Sequence, residues 1–462
     1  MTRISWFVPV FLGLSLVAGG PRATGQTVAD VVSFTGANNL ADPGMTPVQG
    51  RVGKLYGTIT GMFNATSGSV FDFTAAGSTK VLYSLTGSAG VYPTGVILGS
   101  DGNFYGVASS GGSLNGGVLF KVTPSGTYAV LHNFTGGTDG LEPEATPIEG
   151  SDGNFYGTTN GGCCHSSTIY KYTRAGAFTT IYTYDNTHGI NAGDLMQGSD
   201  GNLYVAASSG GTNNNGTIVQ LSTAGKLLSY YAFPGGPGGS FPLGLVQASN
   251  GNYYGVTFQG GQKENSAGIG TIFRYTPPAN VTVLYIYNPL STNGGGYPSG
   301  IPIQATDGYL YGVTLAGGTY GNGTVYRIST TGKYQQLYSF PTTVGREPTA
   351  NLLQATSGLF YGSAQSGGPN GYGAIFSLNM GLGPFITFVQ ATGKIGKAAQ
   401  ILGQGFTGTT SITFNGLPAS SFTVVNDTYI TAVVPTGATT GPVVVTTPTG
   451  SLTSHVNFRI LK

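Results

Sequence analysis

The stretch that decides the fold is Gly99-Ser-Asp-Gly-Asn-Phe-Tyr-Gly106, which returns almost unchanged as Gly150-Ser-Asp-Gly-Asn-Phe-Tyr-Gly157. Its Tyr-Gly pair recurs along most of the chain, with the tyrosine at Tyr56, Tyr105, Tyr156, Tyr204 (where Val205 replaces the glycine), Tyr254, Tyr311 and Tyr361. Successive tyrosines lie 49, 51, 48, 50, 57 and 50 residues apart. Seven copies at this spacing indicate a tandem repeat, and the repeat governs the fold.

Each copy has the pattern of four short β-strands. The first strand, such as Gly95-Val-Ile-Leu98, ends at an Asp-Gly or Asn-Gly pair such as Asp101-Gly102. These dipeptides predict a two-residue hairpin turn with positive φ at both central positions. The Tyr-Gly strand follows, then a Gly-Gly loop and two alternating strands such as Gly270–Tyr275 and Val130–Phe134. Alternation of β-branched and aromatic residues between turn glycines is typical of strands.

Four antiparallel strands repeated seven times predict an all-β, seven-bladed β-propeller. The seventh copy ends after its third strand, at Ile375–Leu378, while Val31-Val-Ser-Phe34 near the N-terminus matches the fourth-strand motif Tyr338-Ser-Phe340. We therefore expect Val31–Phe34 to pair beside Ala374–Leu378, so that an N-terminal strand closes the ring and removes its open edge. The competing fold is an open β-solenoid, but solenoid coils are shorter than fifty residues.

The composition agrees with this fold class. Of 462 residues, 80 are glycine and only 7% are charged, which is too few to cover the solvent faces of many helices. The 28 tyrosines and 24 phenylalanines exceed what a disordered chain carries. A helical bundle and a disordered chain are both excluded.

Residues 1–25 are predicted to be a signal peptide. Arg3 precedes a short apolar run from Phe7 to Gly19, and Ala23-Thr-Gly25 supplies small residues for cleavage. The run is shorter than the roughly 20 residues that span a bilayer. A buried N-terminal strand is the alternative. We expect the mature chain to be secreted or held at the cell surface, with no transmembrane segment.

The charge balance excludes two classes of partner. Removal of Arg3 and Arg22 leaves 16 basic and 16 acidic residues, and the densest basic stretch is Lys394–Lys397. Nucleic acids and anionic membranes both require clustered Lys or Arg, so neither is expected as a partner. No glycine-rich loop has the strand-loop-helix context of a nucleotide site, so no cofactor is predicted.

The repeats resemble the glycine-rich GloVer tandem repeats of exported bacterial proteins in the choice-of-anchor group. The residues that carry the resemblance are Gly99–Gly106, Gly150–Gly157 and the Gly-Thr-hydrophobic-Phe third strands, over about 350 residues. The resemblance implies a bacterial surface or secreted protein without an established enzymatic activity. Members often end in an anchoring segment, whereas this sequence ends at Phe458–Lys462 without a hydrophobic tail.

A second domain is predicted at residues 384–462, after repeats at 26–380 and a linker at 381–383. Short alternating strands rich in Thr and Val suit an immunoglobulin-like β-sandwich. The order of Gly403–Phe406, Ile430–Pro435 and Gly441–Pro448 resembles that of IPT/TIG domains. In bacterial surface proteins, that resemblance implies a spacer or adhesion module. The few basic residues of this domain argue against DNA binding.

Two motifs contain residue types that can bind metal ions. The Asp-Gly-Asn turns offer carboxylate and amide oxygens that suit Ca²⁺, but each turn holds one carboxylate and Ser357 replaces it in the seventh copy. Hairpin geometry explains the dipeptide without a metal. Cys163-Cys164-His165 contains both cysteines of the chain, and no second cluster completes a zinc set. A vicinal disulfide or two free thiols is the favoured interpretation, so no metal site is assigned.

Asp139, Glu142, Glu144 and Glu149 form the one acidic cluster of the sequence. Paired carboxylates can hydrolyse glycosides, but Glu142 and Glu144 flank Pro143 in a connection between repeats, where a solvated or Ca²⁺-touching loop is the simpler interpretation. We assign no catalytic residue. The favoured function is non-catalytic extracellular binding or adhesion, with a polysaccharide or a surface protein as ligand. The alternatives are a secreted carbohydrate-active enzyme and a structural cell-surface component.

Overall fold

The computed structural model describes residues 26–36, 41–61, 67–161, 166–261, 268–288 and 294–461. This part of the chain is built from strands, and its helical content is two single-turn 3₁₀ segments, Gly87–Ala89 and Gly236–Gly238. Within these ranges, no helix has the length and apolarity to cross a membrane. The predicted all-β class is confirmed. Residues 1–25, predicted to be a signal peptide, lie outside the described residues, as do Cys163, Cys164 and His165.

The repeat region begins with β1 (Thr27–Ser33), and units 1 to 7 follow in order. Unit 1 contains β2 (Val48–Gln49), β3 (Leu55–Ile59), β4 (Ser67–Phe73) and β5 (Thr79–Thr86). Unit 2 contains β6 (Val91–Leu98), β7 (Phe104–Ser110), β8 (Val118–Val122) and β9 (Tyr128–Asn133). Unit 3 contains β10 (Ile148–Glu149), β11 (Phe155–Thr159), β12 (Thr168–Tyr172) and β13 (Phe178–Thr183). Unit 4 contains β14 (Ile190–Gln197), β15 (Leu203–Ser209), β16 (Thr217–Leu221) and β17 (Leu227–Ala232).

Unit 5 contains β18 (Ser240–Gln247), β19 (Tyr253–Gln259), β20 (Thr271–Thr276) and β21 (Asn280–Ile286). Unit 6 contains β22 (Gly295–Pro298), β23 (Ile303–Gln304), β24 (Leu310–Gly317), β25 (Thr324–Ile328) and β26 (Tyr334–Ser339). Unit 7 contains β27 (Arg346–Pro348), β28 (Leu353–Gln354), β29 (Phe360–Ser366) and β30 (Ala374–Asn379). Each unit forms one antiparallel sheet whose strands follow chain order, except that β22 and β23 both pair with β24, and β27 and β28 both pair with β29.

The sheet of unit 7 takes its fourth strand from the other end of the repeat region. Strand β1 pairs antiparallel with β30, with Val32 opposite Ile375 and Ser33 opposite Ala374. The amide of Phe34 extends the pairing by donating to the Gly373 carbonyl at 3.1 Å. Phe34 is buried and packs edge-on against Phe71 of unit 1. The N-terminal strand therefore connects unit 7 with unit 1.

The glycine of the Tyr-Gly pair makes room for an aromatic ring on the neighbouring strand. In six units, this glycine lies directly opposite a Phe or Tyr of the third strand, as Gly312 lies opposite Tyr326. A Cβ atom at Gly312 would lie 2.5 Å from Cζ of Tyr326. In unit 4, Val205 replaces the glycine and lies opposite Val219, so the aromatic ring is absent as well. The residue after the tyrosine and the residue opposite it on the third strand change together, because their side chains fill the same space.

The hairpin between the first and second strands differs from the predicted two-residue turn. In unit 2, the Gly99 amide donates to the Asn103 carbonyl at 2.8 Å, and the Gly102 amide donates to the Gly99 carbonyl at 2.8 Å. Only Gly102 has positive φ, at 88°, whereas Asp101 does not. The connection is therefore three residues long, with the glycine in the left-handed bulge position. Asp101 serves this turn by accepting the Asn103 amide at 3.1 Å.

Neighbouring units meet where a glycine at the start of the third strand, or directly before it, packs against a proline of the next unit. Six junctions share this glycine and proline: Gly68 with Pro93, Gly117 with Pro143, Gly216 with Pro242, Gly270 with Pro298, Gly323 with Pro348, and Gly373 with Pro43. At the seventh junction, Ser167 replaces the glycine and Ala192 replaces the proline. Ser167 Oγ there accepts the Asn191 amide at 2.9 Å. Where the glycine position carries a side chain, the proline position therefore holds a smaller residue.

A second set of contacts links the units at the end of the first strand. In six units, a Gln or Glu side chain accepts a backbone amide from the turn of the preceding unit at 2.7–3.0 Å. The acceptors are Gln49, Glu149, Gln197, Gln247, Gln304 and Gln354. Unit 2 has Leu98 at this position, and Leu98 belongs to a buried cluster with Leu402 and Tyr429 of the C-terminal region.

The C-terminal region forms three sheets over ten strands. These strands are β31 (Thr387–Phe388), β32 (Thr392–Lys394), β33 (Ala398–Leu402), β34 (Ser411–Phe414), β35 (Leu417–Pro418), β36 (Phe422–Asn426), β37 (Tyr429–Val433), β38 (Val443–Thr447), β39 (Gly450–Thr453) and β40 (Arg459–Leu461). The sheet orders are β31-β33-β37-β36, β35-β34-β38-β39 and the parallel pair β32-β40. One apolar core joins the two larger sheets, with Ile401 and Ile430 from one and Phe414 and Val445 from the other.

The C-terminal region packs against the turns between first and second strands. It is hydrogen-bonded to these turns in units 1, 2, 3, 4 and 7, through Thr428 to Arg51, Gln400 to Ser100, Gln390 to Gly150, Arg459 to Ser199, and Phe385 to Thr356. The Arg51 guanidinium also lies 4.8 Å from the centre of the Tyr429 ring. Because consecutive strands are antiparallel, the Gly-Gly loops lie at the other ends of the strands, away from the C-terminal region.

The junction geometry predicts that Gly323→Ala destabilises the protein more than Gly321→Ala. Both glycines have positive φ, 100° and 74°, so both substitutions carry backbone strain. A Cβ atom at Gly323 would also lie 2.7 Å from Cδ of Pro348, whereas nothing lies within 4 Å at Gly321. We expect an additional cost of about 1–3 kcal/mol at Gly323, measured by denaturant unfolding. Equal costs would contradict the crowded junction.

The shared volume predicts rescue in a double substitution. Gly312→Val alone should destabilise by about 1–3 kcal/mol, since the new side chain collides with the Tyr326 ring. Tyr326→Val alone should also destabilise, because it leaves a cavity. The pair copies Val205 and Val219, so its cost should be clearly below the sum of the single costs in a thermodynamic cycle. Additive costs would show that the two positions are independent.

Candidate functional site

The first strands of the seven sheets surround a cavity of about 440 Å³ at the centre of the repeat region. Every unit contributes residues that follow the same backbone feature, a residue with positive φ before the junction position. These seven residues are Asp42, Tyr92, Glu142, Asn191, Phe241, Tyr297 and Glu347, with φ between 53° and 58°. Left-handed backbone is uncommon for residues other than glycine, so its sevenfold recurrence indicates a strict requirement. This left-handed residue turns the chain from the junction towards the central cavity.

The cavity has its shape because the first strands come in two lengths. Units 2, 4 and 5 have a continuous strand, whereas units 1, 3, 6 and 7 have one additional residue between the junction proline and the Tyr-Gly pair. These longer connections contain Thr46, Thr146, Ile301 and Asn351, which line the central cavity. Glycines in the shorter units make room for them: a Cβ atom at Gly244 would lie 2.9 Å from Cγ1 of Ile301.

A second central cavity, of about 340 Å³, lies next to the first. Thr46, Thr146, Asp194, Ile301 and Asn351 line both, so these five side chains lie between the two. We call the first the polar chamber, because hydroxyl and amide side chains such as those of Thr94, Asn160 and Thr349 line it. We call the second the apolar chamber. Its wall is mainly aliphatic and proline side chains: Pro47, Val48, Val96, Ile97, Pro147, Ile148, Leu195, Leu245, Val246, Pro302 and Ile303.

Asp194 occupies a position that is glycine in the other short units. Counted from the junction, Pro93-Thr94-Gly95 and Pro242-Leu243-Gly244 correspond to Ala192-Gly193-Asp194. The fold therefore accepts glycine at this position, and two units carry it. The backbone geometry of the repeat therefore does not require a carboxylate here, and the Asp194 carboxylate lines both chambers.

Burial raises the pKa of Asp194 to about 6, although its hydrogen bond with Asn351 acts in the opposite direction. Asn351 comes from unit 7, and its Oδ1 accepts the amide of Ile301 at 2.6 Å. The amide group of Asn351 thus orients the Asp194 carboxyl from across the centre. Loss of hydration penalises the charged form of an acid, and no Lys, Arg or His is found among the described residues that line either chamber.

Glu144 is the second carboxylate of the polar chamber. Burial raises the pKa of Glu144, the hydrogen bond from Asn160 lowers it, and the charge of Glu142 raises it further. Asn160 Nδ2 donates to Oε2 of Glu144 at 3.0 Å. The Oδ1 atom of Asn160 and the Oγ1 atoms of Thr94 and Thr349 are buried without a hydrogen-bond partner. Three polar atoms of the chamber wall are therefore available to a bound molecule.

The other three residues of the acidic cluster predicted from sequence interact with residues elsewhere in the protein. Asp139 accepts from Thr135 and pairs with Nε2 of His132 at 3.0 Å. Glu149 is buried, forms an ion pair with Arg174 and accepts the Ser100 amide at 2.7 Å. Glu142 has positive φ, and its amide donates to the Gly116 carbonyl of unit 2 at 2.9 Å. Of the four, only Glu144 lines the central cavities.

The turn aspartates are also occupied within the protein. Asp152 accepts the Asn154 amide at 3.1 Å and the Tyr156 hydroxyl at 2.8 Å. Burial works against its ionisation, but the hydrogen bonds from Asn154 and Tyr156 outweigh that effect and lower the pKa of Asp152. The same tyrosine contact recurs at Asp101, Asp200 and Asp307. Among the described residues, no group of three or more His, Cys, Asp or Glu side chains could hold a metal ion.

Exposed apolar side chains mark the Gly-Gly loops. Leu114 of unit 2, Tyr320 of unit 6 and Tyr372 of unit 7 are 60%, 59% and 38% exposed. All three lie between the second and third strands of their units, at the sheet edges opposite the C-terminal region. By contrast, the seven tyrosines of the Tyr-Gly strands are buried.

Sequence reasoning missed Asp194, and the signal that could have found it is the repeat itself. Aligning the copies on the tyrosine of the Tyr-Gly strand places Asp194 beside Gly95 and Gly244, each ten residues before that tyrosine. The other four copies have Thr, Thr, Ile and Asn at this position, so a single charged residue there is visible without a structure.

The raised pKa of Asp194 predicts a specific pH dependence of stability. Because its pKa is about 6 in the folded state and about 3.9 unfolded, the native state holds more protons between these values, and this residue makes stability fall as pH rises. Asp194→Asn should therefore be more stable than the wild type at about pH 7.5, by up to about 3 kcal/mol, and equal to it near pH 3.5. Unfolding at both pH values checks this. A difference that is independent of pH would contradict it.

Solved structures share the fold at low sequence identity. A catalytically inactive variant of virginiamycin B lyase from Staphylococcus aureus, solved with quinupristin, is 16% identical, with a TM-score of 0.53 over 77% of this chain and 99% of that chain. A fungal alcohol oxidase of the AA5 family in complex with copper is 12% identical, with a TM-score of 0.50 over 95% and 99% of the chains. Both support a propeller-like arrangement of the repeat sheets.

The extracellular domain of a hybrid two-component system from B. thetaiotaomicron is 11% identical, with a TM-score of 0.51. The match covers 93% of this chain and 57% of that chain. Comparison with curated proteins finds no match. The model of the Gloeobacter/Verrucomicrobia repeat matches three overlapping stretches, residues 22–197, 165–285 and 265–416. These matches span most of the sequence, and the chain belongs to the Gloeobacter/Verrucomicrobia repeat family.

Proposed function

We propose that the chain is an exported bacterial binding protein, built as a seven-bladed β-propeller with an immunoglobulin-like IPT/TIG domain at its C-terminal end. The seven sheets around common central cavities, with β1 paired to β30, support the closed ring. The two larger C-terminal sheets around one core support the sandwich. The apolar run at Phe7–Gly19 and the extracellular domain among the similar structures support export, to the cell surface or the medium.

The observation that carries the binding function is the exposure of Leu114, Tyr320 and Tyr372 on the Gly-Gly loops. The C-terminal region occupies the opposite face, so this face is left for a partner. Tyrosine rings stack on sugars and form the centres of protein interfaces, and rigidly held loops are where binding residues concentrate. The ligand class is therefore an extracellular polysaccharide or a surface protein.

The loop face predicts which substitutions weaken binding. The purified chain is screened on insoluble cell-wall and extracellular polysaccharides and on intact bacterial cells. Tyr320→Ala and Tyr372→Ala should each weaken retention about tenfold, because truncating an aromatic anchor removes its contact area. Val52→Ala is the matched control, since Val52 is 59% exposed on a turn at the opposite edge. An equal loss in the control, or no retention on any surface, would contradict the proposal.

The second candidate function is a secreted carbohydrate-active enzyme. It is favoured by Glu144 and Asp194, two carboxylates with raised pKa values in one chamber, because a general acid needs such a shift. The same polysaccharide panel, read for soluble products, separates the two functions. Turnover that Glu144→Gln or Asp194→Asn abolishes would establish the enzyme in place of the binding protein.

A further inference from the structure

We propose that the central chambers form a binding site for a small organic amine, with its protonated amino group at Asp194 and its apolar part in the apolar chamber. This site is distinct from the loop face and goes beyond the proposed binding of polysaccharide or protein. Its residues lie at the centre of the repeat region, whereas Tyr320 and Tyr372 lie on loops at the edges of the sheets.

The first argument is the placement of Asp194. Its repeat position is Gly95 in unit 2 and Gly244 in unit 5, where the missing side chain admits Thr146 and Ile301 respectively. In unit 4, a carboxyl group fills that space between the two chambers, and Asn351 orients it from the far side of the ring. Neither the junctions nor the interactions within the sheet require a carboxylate here.

The second argument is charge. Glu144 and Asp194 are the titratable side chains among the described residues lining the two chambers, and both are acids. Asp194 is half-buried, and a carboxylate that loses hydration without a cationic partner is costly. An ammonium group that enters the chamber supplies this partner. The same charges repel anions, which excludes carboxylate and phosphate ligands. A protonated amine is the organic group that matches this wall.

The third argument is the division of the space. The polar chamber offers the unpartnered oxygen atoms of Thr94, Asn160 and Thr349 to the remaining hydrogens of an ammonium group or to hydroxyl groups. The apolar chamber, of about 340 Å³, offers an aliphatic wall. A metal ion would use only the carboxylate end of this arrangement. An amine with a short hydrocarbon chain uses both chambers, with its charge at their common boundary.

The test is calorimetric titration of the full chain at about pH 7.5 with n-hexylamine, n-hexanol and CaCl₂. Hexanol has the same chain length without the charge, so it measures the apolar contribution alone. We expect hexylamine to bind at least about tenfold more tightly than hexanol, and Asp194→Asn to remove that advantage. Asp185→Asn is the matched control, because Asp185 is 62% exposed and pairs with His188. Binding of hexylamine by this control should equal that of the wild type.

A measurement at about pH 5 provides a second readout. Asp194 is then largely protonated and Glu144 is the other acid facing the site, so the advantage of hexylamine over hexanol should shrink several-fold. Equal binding of both molecules by the wild type at about pH 7.5, absence of hexylamine binding, or binding of Ca²⁺ alone would each overturn the proposal. Retention on polysaccharides is measured separately with Tyr320→Ala, so the two proposals fail independently.

Discussion

The contact between a glycine of one unit and a proline of the next is the constraint on which the rest of the structure depends. At six junctions the proline lies so close that a Cβ atom on the glycine would collide with it, and the residue before it adopts left-handed backbone. That turn directs the following residues to the centre, and the chambers exist because seven such turns converge. At the seventh junction both partners differ, with Ser167 in place of the glycine and Ala192 in place of the proline. Because the interior is close-packed, a larger residue on one side of this contact requires a smaller residue on the other side.

The polar groups of the repeats divide into those that hold the fold and those that remain available. Turn aspartates bind their own tyrosines, and the Gln and Glu side chains of the first strands bind the neighbouring turns. Unit 2 breaks this pattern with Leu98, and the C-terminal region packs at that site through Leu402 and Tyr429. Asp194 and Glu144 differ from the structural carboxylates, because burial raises their pKa values whereas hydrogen bonding lowers that of Asp152.

Much of the fold could be predicted because the features that define the repeat depend on residues close together in the sequence. Turn glycines, alternating strands and the Tyr-Gly pair all act within a few residues, and Val31–Phe34 could be compared with Tyr338–Phe340 for the same reason. The turn type was wrong because Asp101 uses its side chain, not positive φ, to close the hairpin. The chambers could not be foreseen, since Asp194 and Asn351 are 157 positions apart and meet only across the centre. The grouping of Asp139 with Glu149 failed because nearness in sequence said nothing about their separate partners.

The pairing of β1 with β30 has a consequence for the order in which the molecule can form. Residues 27–33 are synthesised first, yet their partner, residues 374–379, is synthesised about 345 residues later. Until then β1 has no neighbour, and the last sheet has an unpaired edge on β30 that could recruit a strand from another chain. Six sheets can assemble from contacts within or between adjacent units, whereas the seventh must await a contact spanning nearly the whole repeat region. Long-range pairings of this kind form slowly and expose the chain to aggregation while they are incomplete. Completing this sheet is therefore the step at which a folding factor would have the greatest effect on yield.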